Sequence, residues 1–250
     1  MTVTAGDLLR ETTTRLERLA ADADAGALDD AVAYMVEALD AGGVLQAFGT
    51  GHSQAFAMEI AGRAGGLIPT NGFSLTDLVL HGNRKTSELT ATLEREPWLV
   101  DELMETVPVG EHDVFLIASN SGVNGSIVGT ALWAKERGHR VIAVTSLEHT
   151  ARVQPKHPSG KRLSEVADVV IDNLAPYGDT TLDINDDVRV GAVSSMTGAF
   201  IAQSLTLGVA RTIAARGEVP PVYISANIPG GDEHNSALEA LYRGRIRRGT

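Results

Sequence analysis

Hydrophobic positions along this chain switch between two periods, and the switches predict its layout. Leu8, Leu9, Leu16 and Leu19, with Thr12 on the same face, fall at helical spacing and predict a helix over residues 4–20. A second helix is predicted over residues 28–39, stopped by Ala41-Gly42-Gly43. A short apolar run at residues 44–48 then reads as a strand. It leads through Gly49-Thr50-Gly51-His52-Ser53 into a helix reaching Ala64, ended by Gly65-Gly66. Leu67-Ile68-Pro69 reads as a short edge strand, where proline is tolerated. Residues 71–83 read as loop and hold Asp77 and His81. Residues 86–106 read as helical with a break at Pro97, and Glu94, Glu96, Asp101, Glu102 and Glu105 form an expected solvated face.

The clearest unit follows. Residues 113–118 are an apolar run of strand formers, residues 119–126 are small and polar, and residues 127–137 place Val128, Ala131, Leu132 and Lys135 at helical spacing before Gly138. A strand is expected at residues 140–146, loop at 152–162, a strand at 166–172 and loop at 173–187. A long apolar helix is expected over residues 193–216, broken by Pro220-Pro221. An extended piece at 222–225, a loop at 227–233 and a closing helix at 237–248 complete the chain. Strands near 44, 114, 141 and 168 alternate with helices, the pattern of a three-layer, doubly wound α/β parallel sheet. With no linker-like stretch and no internal repeat, residues 1–250 read as one domain, with a core at about 39–216, N-terminal helices at 1–38 and a C-terminal loop and helix at 217–250.

Composition narrows the function classes. The chain carries a formal charge of −11 and has no basic stripe, which argues against nucleic acid and anionic membrane surfaces. The cluster Arg243, Arg245, Arg247 and Arg248 reads as a solvated helix end. With no cysteine there is no disulfide and no thiolate site. The first seven residues lack the basic start and apolar block of a signal peptide, and no run of eighteen apolar residues is seen, so a cytoplasmic protein is expected.

The chemistry is expected at the turns. In an open α/β sheet ligands bind at the carboxyl ends of the strands, and a helix starting there turns its first N–H groups toward an anion. Ser119, Asn120, Ser121 and Asn124 add side-chain donors without a full positive charge, which suits a phosphate held by geometry. A nucleotide fingerprint fails, because Gln54 stands at the third glycine and no acidic residue follows about twenty positions on. Gly51-His52-Ser53-Gln54-Ala55 resembles a relaxed nucleophile elbow, but a helical region precedes the first strand, which disfavours a hydrolase triad.

Two Ser/Thr/Asn-rich turns in one sheet remain. Gly49-Thr50-Gly51-His52-Ser53 with Glu59 behind it, Ser119-Asn120-Ser121-Gly122-x-Asn124, Ile142-Ala143-Val144-Thr145-Ser146 and Ser194-Ser195-x-Thr197-Gly198 together resemble the sugar isomerase (SIS) phosphosugar-binding domain family. Val123-Asn124 departs from the family's usual pair after Ser-x-Ser-Gly. Gly160-Lys161-Arg162-Leu163 and residues 230–235 look like the stand-alone subfamily close to phosphoheptose isomerases and N-acetylmuramic acid 6-phosphate etherases. The resemblance implies a homodimer or dimer of dimers with the site at the subunit interface. It implies phosphate binding by Ser119, Asn120, Ser121 and Asn124, and a sugar lined by Gly49, Thr50, Gly51, His52, Ser53, Thr145 and Ser146. Candidate acid–base groups are Glu59, His81, Glu233 and His234. Phosphoheptose isomerases bind a metal through His, Glu and Gln; here Arg63 stands where a carboxylate would be wanted, so neither metal nor cofactor is expected. The reaction expected first is elimination on N-acetylglucosamine 6-phosphate after proton abstraction at C2. Aldose–ketose isomerisation and non-catalytic phosphosugar sensing are the alternatives.

Overall fold

The computed structural model describes residues 3–247. Helix α1 (Ala5–Asp24) begins at a capping box in which Thr4 and Asp7 exchange side-chain and backbone bonds. Helix α2 (Asp29–Asp40) follows, then strand β1 (Leu45–Gly49), a 3₁₀ turn and helix α3 (Gln54–Ile60). Strand β2 (Thr70–Phe73), helix α4 (Asp77–Leu80), two 3₁₀ turns and helix α5 (Val100–Glu105) lead to strand β3 (Val114–Ala118). Helix α6 (Gly125–Glu136), strand β4 (Arg140–Thr145), helices α7 (Leu147–Arg152) and α8 (Leu163–Val166) and strand β5 (Val169–Asp172) complete the alternating part. Strands β6 (Thr180–Asp183) and β7 (Arg189–Ala192), helix α9 (Ser194–Ala215), helix α10 (Gly231–Glu239) and a last 3₁₀ turn close the chain.

The main sheet is five-stranded and parallel in the order β2-β1-β3-β4-β5. Each strand sends alternate side chains to opposite faces. Leu45, Ala47, Leu116 and Ile142 meet α2, α3 and α9 on one side, while Phe48, Phe115, Ile117 and Val141 meet α5 and α6 on the other. Two separate cores therefore sandwich a fully covered sheet, the three-layer doubly wound arrangement expected. The N-terminal helices, which bring no strand of their own, join α9 in covering one face: Leu19, Ala31 and Met35 share a core with Ile201, Leu205 and Val209. By length and composition α9 could cross a membrane; in the fold its inner stripe lies against the sheet.

Several elements differ from expectation. The edge strand is Thr70–Phe73 rather than Leu67–Pro69, because Leu67 instead makes an isolated bridge to Val222. Asn71 hides in a stretch that reads as loop; its amide is bonded to the Arg245 carbonyl and the Arg247 N–H, which stiffens a polar strand. Helix α3 stops at Ile60, well before Ala64. Residues 86–106 yield an α-helix only after the expected break at Pro97, as the short α5, while the stretch before it forms two isolated 3₁₀ turns. Strand β5 begins at Val169, after the turn of helix α8. The expected loop at 173–187 contains β6 and half of an antiparallel hairpin. The closing helix is α10, earlier than residues 237–248. Arg245 and Arg247 are not a solvated helix end: they pair with Asp113 and Asp77, while Arg248 lies outside the described residues.

Candidate functional site

The strand order reverses between β1 and β3, whose following helices α3 and α6 lie on opposite faces. A crevice at the carboxyl ends of the strands is the consequence. The turn after β1 is tight: a Cβ on Gly49 would stand 2.3 Å from the Ser53 carbonyl oxygen, so only glycine allows the chain to fold back there. A small cavity opens at this point, lined by His52, Ser53, Phe56, Ser119, Asn120, Asn173, Ser194 and Ser195 among others. Four segments build it: the two turns expected from the sequence, the end of β5 and the start of α9.

The hydrogen-bond directions in its walls are determined. Gly122 N–H donates to Ser119 Oγ at 3.1 Å, leaving the Ser119 hydroxyl hydrogen free to donate. Ala175 N–H donates to Asn173 Oδ1, so Asn173 Nδ2 is the end that donates to Asn120 Oδ1, at 3.1 Å. Asn120 Nδ2 then remains without a protein partner among the described residues, as do the hydroxyls of Ser53, Ser121 and Ser195. Asn120 is held through its carbonyl, which accepts from Ser146 N–H and the Thr145 hydroxyl. Segment 173–179 bends at two non-glycine residues with left-handed backbone, Leu174 (φ 58°) and Asp179 (φ 66°).

Other expected site residues serve the scaffold. Thr145 and Ser146 are fully buried; Ser146 caps α7 through His149 N–H and donates to the Ala175 carbonyl, so neither presents itself to a ligand. Thr50 is buried and lies off the cavity lining. Asn124 is occupied at both ends: Nδ2 donates to Glu94 at 2.8 Å, and Oδ1 accepts from Lys156 Nζ at 3.2 Å. The loop therefore does have a cation beside it. Glu94 is not on a solvated face: it is half-buried, its carbonyl accepts from Ser126 Oγ, and its carboxylate also approaches Gly51 in the neighbouring turn. A Cβ on Gly125 would stand 2.3 Å from the Arg95 carbonyl oxygen, and this contact docks the 93–95 turn on α6. Glu94 and Lys156 stand 30 and 32 residues from Asn124 along the chain, and no local spacing signals either.

The acid–base candidates separate. Glu59 on α3 accepts a hydrogen bond from Gln203 Nε2 at 2.6 Å and forms an ion pair with Arg63. It lies outside the cavity lining but beside the stripe Ser195, Ala199, Gln203 on α9, which runs about 12 Å from the cavity mouth toward it. His81 is half-exposed beyond α4, with Nε2 4.0 Å from Asp77. His234 Nε2 contacts the Val222 carbonyl at 3.1 Å, and Glu233 is exposed on α10. Val222 bridges Leu67, at the amino end of β2, so within one chain His234 is remote from the crevice. His149 Nδ1 accepts from Gly178 N–H at 3.0 Å; burial keeps this imidazole below its usual pKa, partly opposed by Asp179 and Glu148. A metal held by Glu59 and Gln203 does not fit these residues. The same carboxylate oxygen already takes Gln203 and the Arg63 cation, and among the described residues no three His, Asp or Glu groups gather.

Residues 8–146 match the SIS domain family. The chain belongs to the SIS domain family. The UPF0309 protein lin2794 of Listeria innocua is 36% identical over 235 residues, 94% of each chain. Among solved structures, E. coli CFT073 c3406 in complex with A5P superposes with a TM-score of 0.50 at 16% identity, covering 82% of this chain and 87% of that one. A proposed phosphosugar isomerase involved in capsule formation from Bacteroides fragilis also reaches 0.50, at 18% identity, covering 92% and 96%. These two share the fold. The SIS turns at 49–53 and 119–124 are the pair that frames the crevice, and the SIS match ends at Ser146, just after β4.

Proposed function

We propose that this SIS protein is an enzyme acting on a sugar phosphate, by removal of the C2 proton and elimination of the C3 hydroxyl, with N-acetylglucosamine 6-phosphate as the first substrate to test. The observation that supports this is a spacing along α9: Ser195 lines the cavity beside the free donors of Ser119 and Asn120, and Gln203, about two turns further on the same face, holds Glu59. An open-chain sugar lying along that stripe puts its aldehyde end toward the carboxylate. Glu59 takes the C2 proton, the electron pair moves onto the aldehyde oxygen, and the enolate then expels the C3 hydroxyl as the C2–C3 double bond forms. A proton donated to that hydroxyl lets it leave as water. His52, at the cavity, is the imidazole this chain supplies for that role. His81 and His234 would have to come from another copy.

A second copy is part of this reading. Met58 (73% exposed), Met196 and Leu207 (58% exposed) flank the stripe, and a partner subunit covering them would enclose it and exclude water. Aldose–ketose isomerisation is the second reading, favoured by the description of the Bacteroides fragilis relative as a proposed phosphosugar isomerase. Both start with the same proton. The test is incubation with N-acetylglucosamine 6-phosphate in heavy water, followed by proton NMR and mass spectrometry. Elimination yields loss of one water and a vinylic signal; aldose–ketose isomerisation, which needs a C2 hydroxyl, is read in a parallel incubation with glucose 6-phosphate as a ketose of unchanged formula apart from exchange. Binding of several sugar phosphates with no turnover would support sensing instead. Glu59→Gln turning over at the wild-type rate would remove Glu59 as the base.

A further inference from the structure

We propose that Ser194, held from behind by Asp179, is the position in the cavity wall that selects the carbon chain of the ligand, with Ser194 Oγ accepting a hydrogen bond from a sugar hydroxyl or amide N–H. The proposal rests on the sugar-phosphate reading above and adds which group is read, and by what. Ser194 has one hydroxyl hydrogen, and it is spent: Oγ donates to Asp179 Oδ2 at 2.6 Å. The other oxygen of Asp179 takes the Ser194 and Val193 backbone N–H groups at 2.8 and 3.2 Å. An ionised carboxylate can only accept, so the hydroxyl is held in this direction and offers lone pairs alone to the cavity it lines.

The opposite wall has the reverse polarity. The Ser119 hydroxyl and Asn120 Nδ2 are free donors, the latter because the Ala175–Asn173–Asn120 chain of bonds leaves no other orientation. A phosphate dianion carries acceptors only. It is matched by the Ser119–Asn120 wall and is repelled by a serine lone pair backed by a carboxylate. The Ser194 position therefore faces the neutral part of the ligand, and a hydroxyl or amide N–H is the complement. Asp179 holds this position in a left-handed backbone that non-glycine residues seldom adopt (φ 66°), a cost tolerated where surrounding contacts over-determine the geometry.

The test compares two probes on the full-length protein by titration calorimetry. One is inorganic phosphate. The other is the best-binding member of a panel of glucose 6-phosphate, N-acetylglucosamine 6-phosphate and sedoheptulose 7-phosphate. Ser194→Ala keeps both backbone bonds to Asp179, so the start of α9 is retained. Asp179→Asn places an amide N–H against Ser194 and frees the hydroxyl to turn its hydrogen into the cavity. Both variants are expected to bind inorganic phosphate within about twofold of wild type and the sugar phosphate at least tenfold more weakly. A purely structural role would move the two affinities together. Equal losses for both probes, or an unchanged sugar-phosphate affinity in Ser194→Ala, overturn the assignment while leaving the sugar-phosphate reading standing. A wild-type protein that binds phosphate and none of the sugar phosphates overturns both.

Discussion

The two ends of the parallel sheet use polar residues in opposite ways. At the amino end Asp113 is fully buried and saturated: its carboxylate accepts from Val44 N–H, Gln46 Nε2, Gly110 N–H and Arg245. Asp168, at the same end beside β4, accepts from Lys135, Arg140 and Val141 N–H. At the carboxyl end Ser53, Ser121, Ser195 and one end of Asn120 are left without protein partners among the described residues. Asp113 and Asp168 are committed to partners within the chain, although Gln46 Oε1 and Arg245 Nε beside Asp113 stay unpaired, whereas the free groups at the carboxyl end are half-buried or exposed and so are accessible to a ligand.

That contrast can be broken at either end. The largest effect is expected for Asp113→Ala. It strands four donors around a buried site and should cost roughly 3–5 kcal/mol of stability, read by chemical denaturation, or leave the protein insoluble. At the other end, Ser119→Ala with Ser121→Ala strands one donor, the Gly122 N–H, and should cost only about 1–3 kcal/mol of stability. Each lost charge-assisted bond should weaken phosphate binding by about 1.5–3 kcal/mol, read by calorimetry. Retained affinity in a folded double variant would erase the functional half of the contrast.

Asp168→Asn is expected to cost roughly 1–3 kcal/mol at neutral pH. Burial by itself would raise the Asp168 pKa. The bonds from Lys135, Val141 N–H and Arg140 outweigh it and hold the carboxylate below its ordinary 3.8. The folded state thus binds its proton less readily than the unfolded chain does. This contribution is complete above that value and fades as pH falls below it, so wild type and variant should converge in stability in strong acid. The smallest effect belongs to His149. Burial, opposed by Asp179 and Glu148, lowers its pKa from 6.5, so its contribution is present above 6.5 and is lost as pH falls through the lowered value. Protonated Nδ1 cannot accept from Gly178 N–H, so the protection of the Gly178 amide against exchange, taken relative to its intrinsic rate at each pH, should fall in mild acid. His149→Gln should flatten that pH dependence.

Much of this protein is legible in its one-dimensional pattern. The β1, β3 and β4 units carry continuous apolar runs closed by small polar turns, and such runs specify buried parallel strands wherever they occur. The turns at 49–53 and 119–124 are visible for the same reason, since their composition is local. What stayed hidden is non-local or weakly patterned. Thr70-Asn71-Gly72-Phe73 has no strand signature and becomes β2 through its pairing with β1 and the bonds from Asn71 to the C-terminal segment. Glu94 looks like one acid among several, and only the docking of its turn on α6 brings it to Asn124. Asp179 belongs to a loop-like stretch, and its meeting with Ser194 depends on a hairpin spanning residues 180–192.

Backbone periodicity and turn chemistry, which act within a few residues, were enough to give the class of fold, the central strand–turn–helix units and the two small polar turns at 49–53 and 119–124. The tertiary structure alone decided which polar atoms remain free. A hydroxyl or amide is committed or available according to partners that lie from 2 to more than 100 positions away, and composition is blind to that count. Hence Thr145, Ser146 and Asn124, suited by type to a sugar phosphate, are consumed by the scaffold, while Asn173, Ser194 and Ser195 reach the cavity because β5 and α9 end beside it.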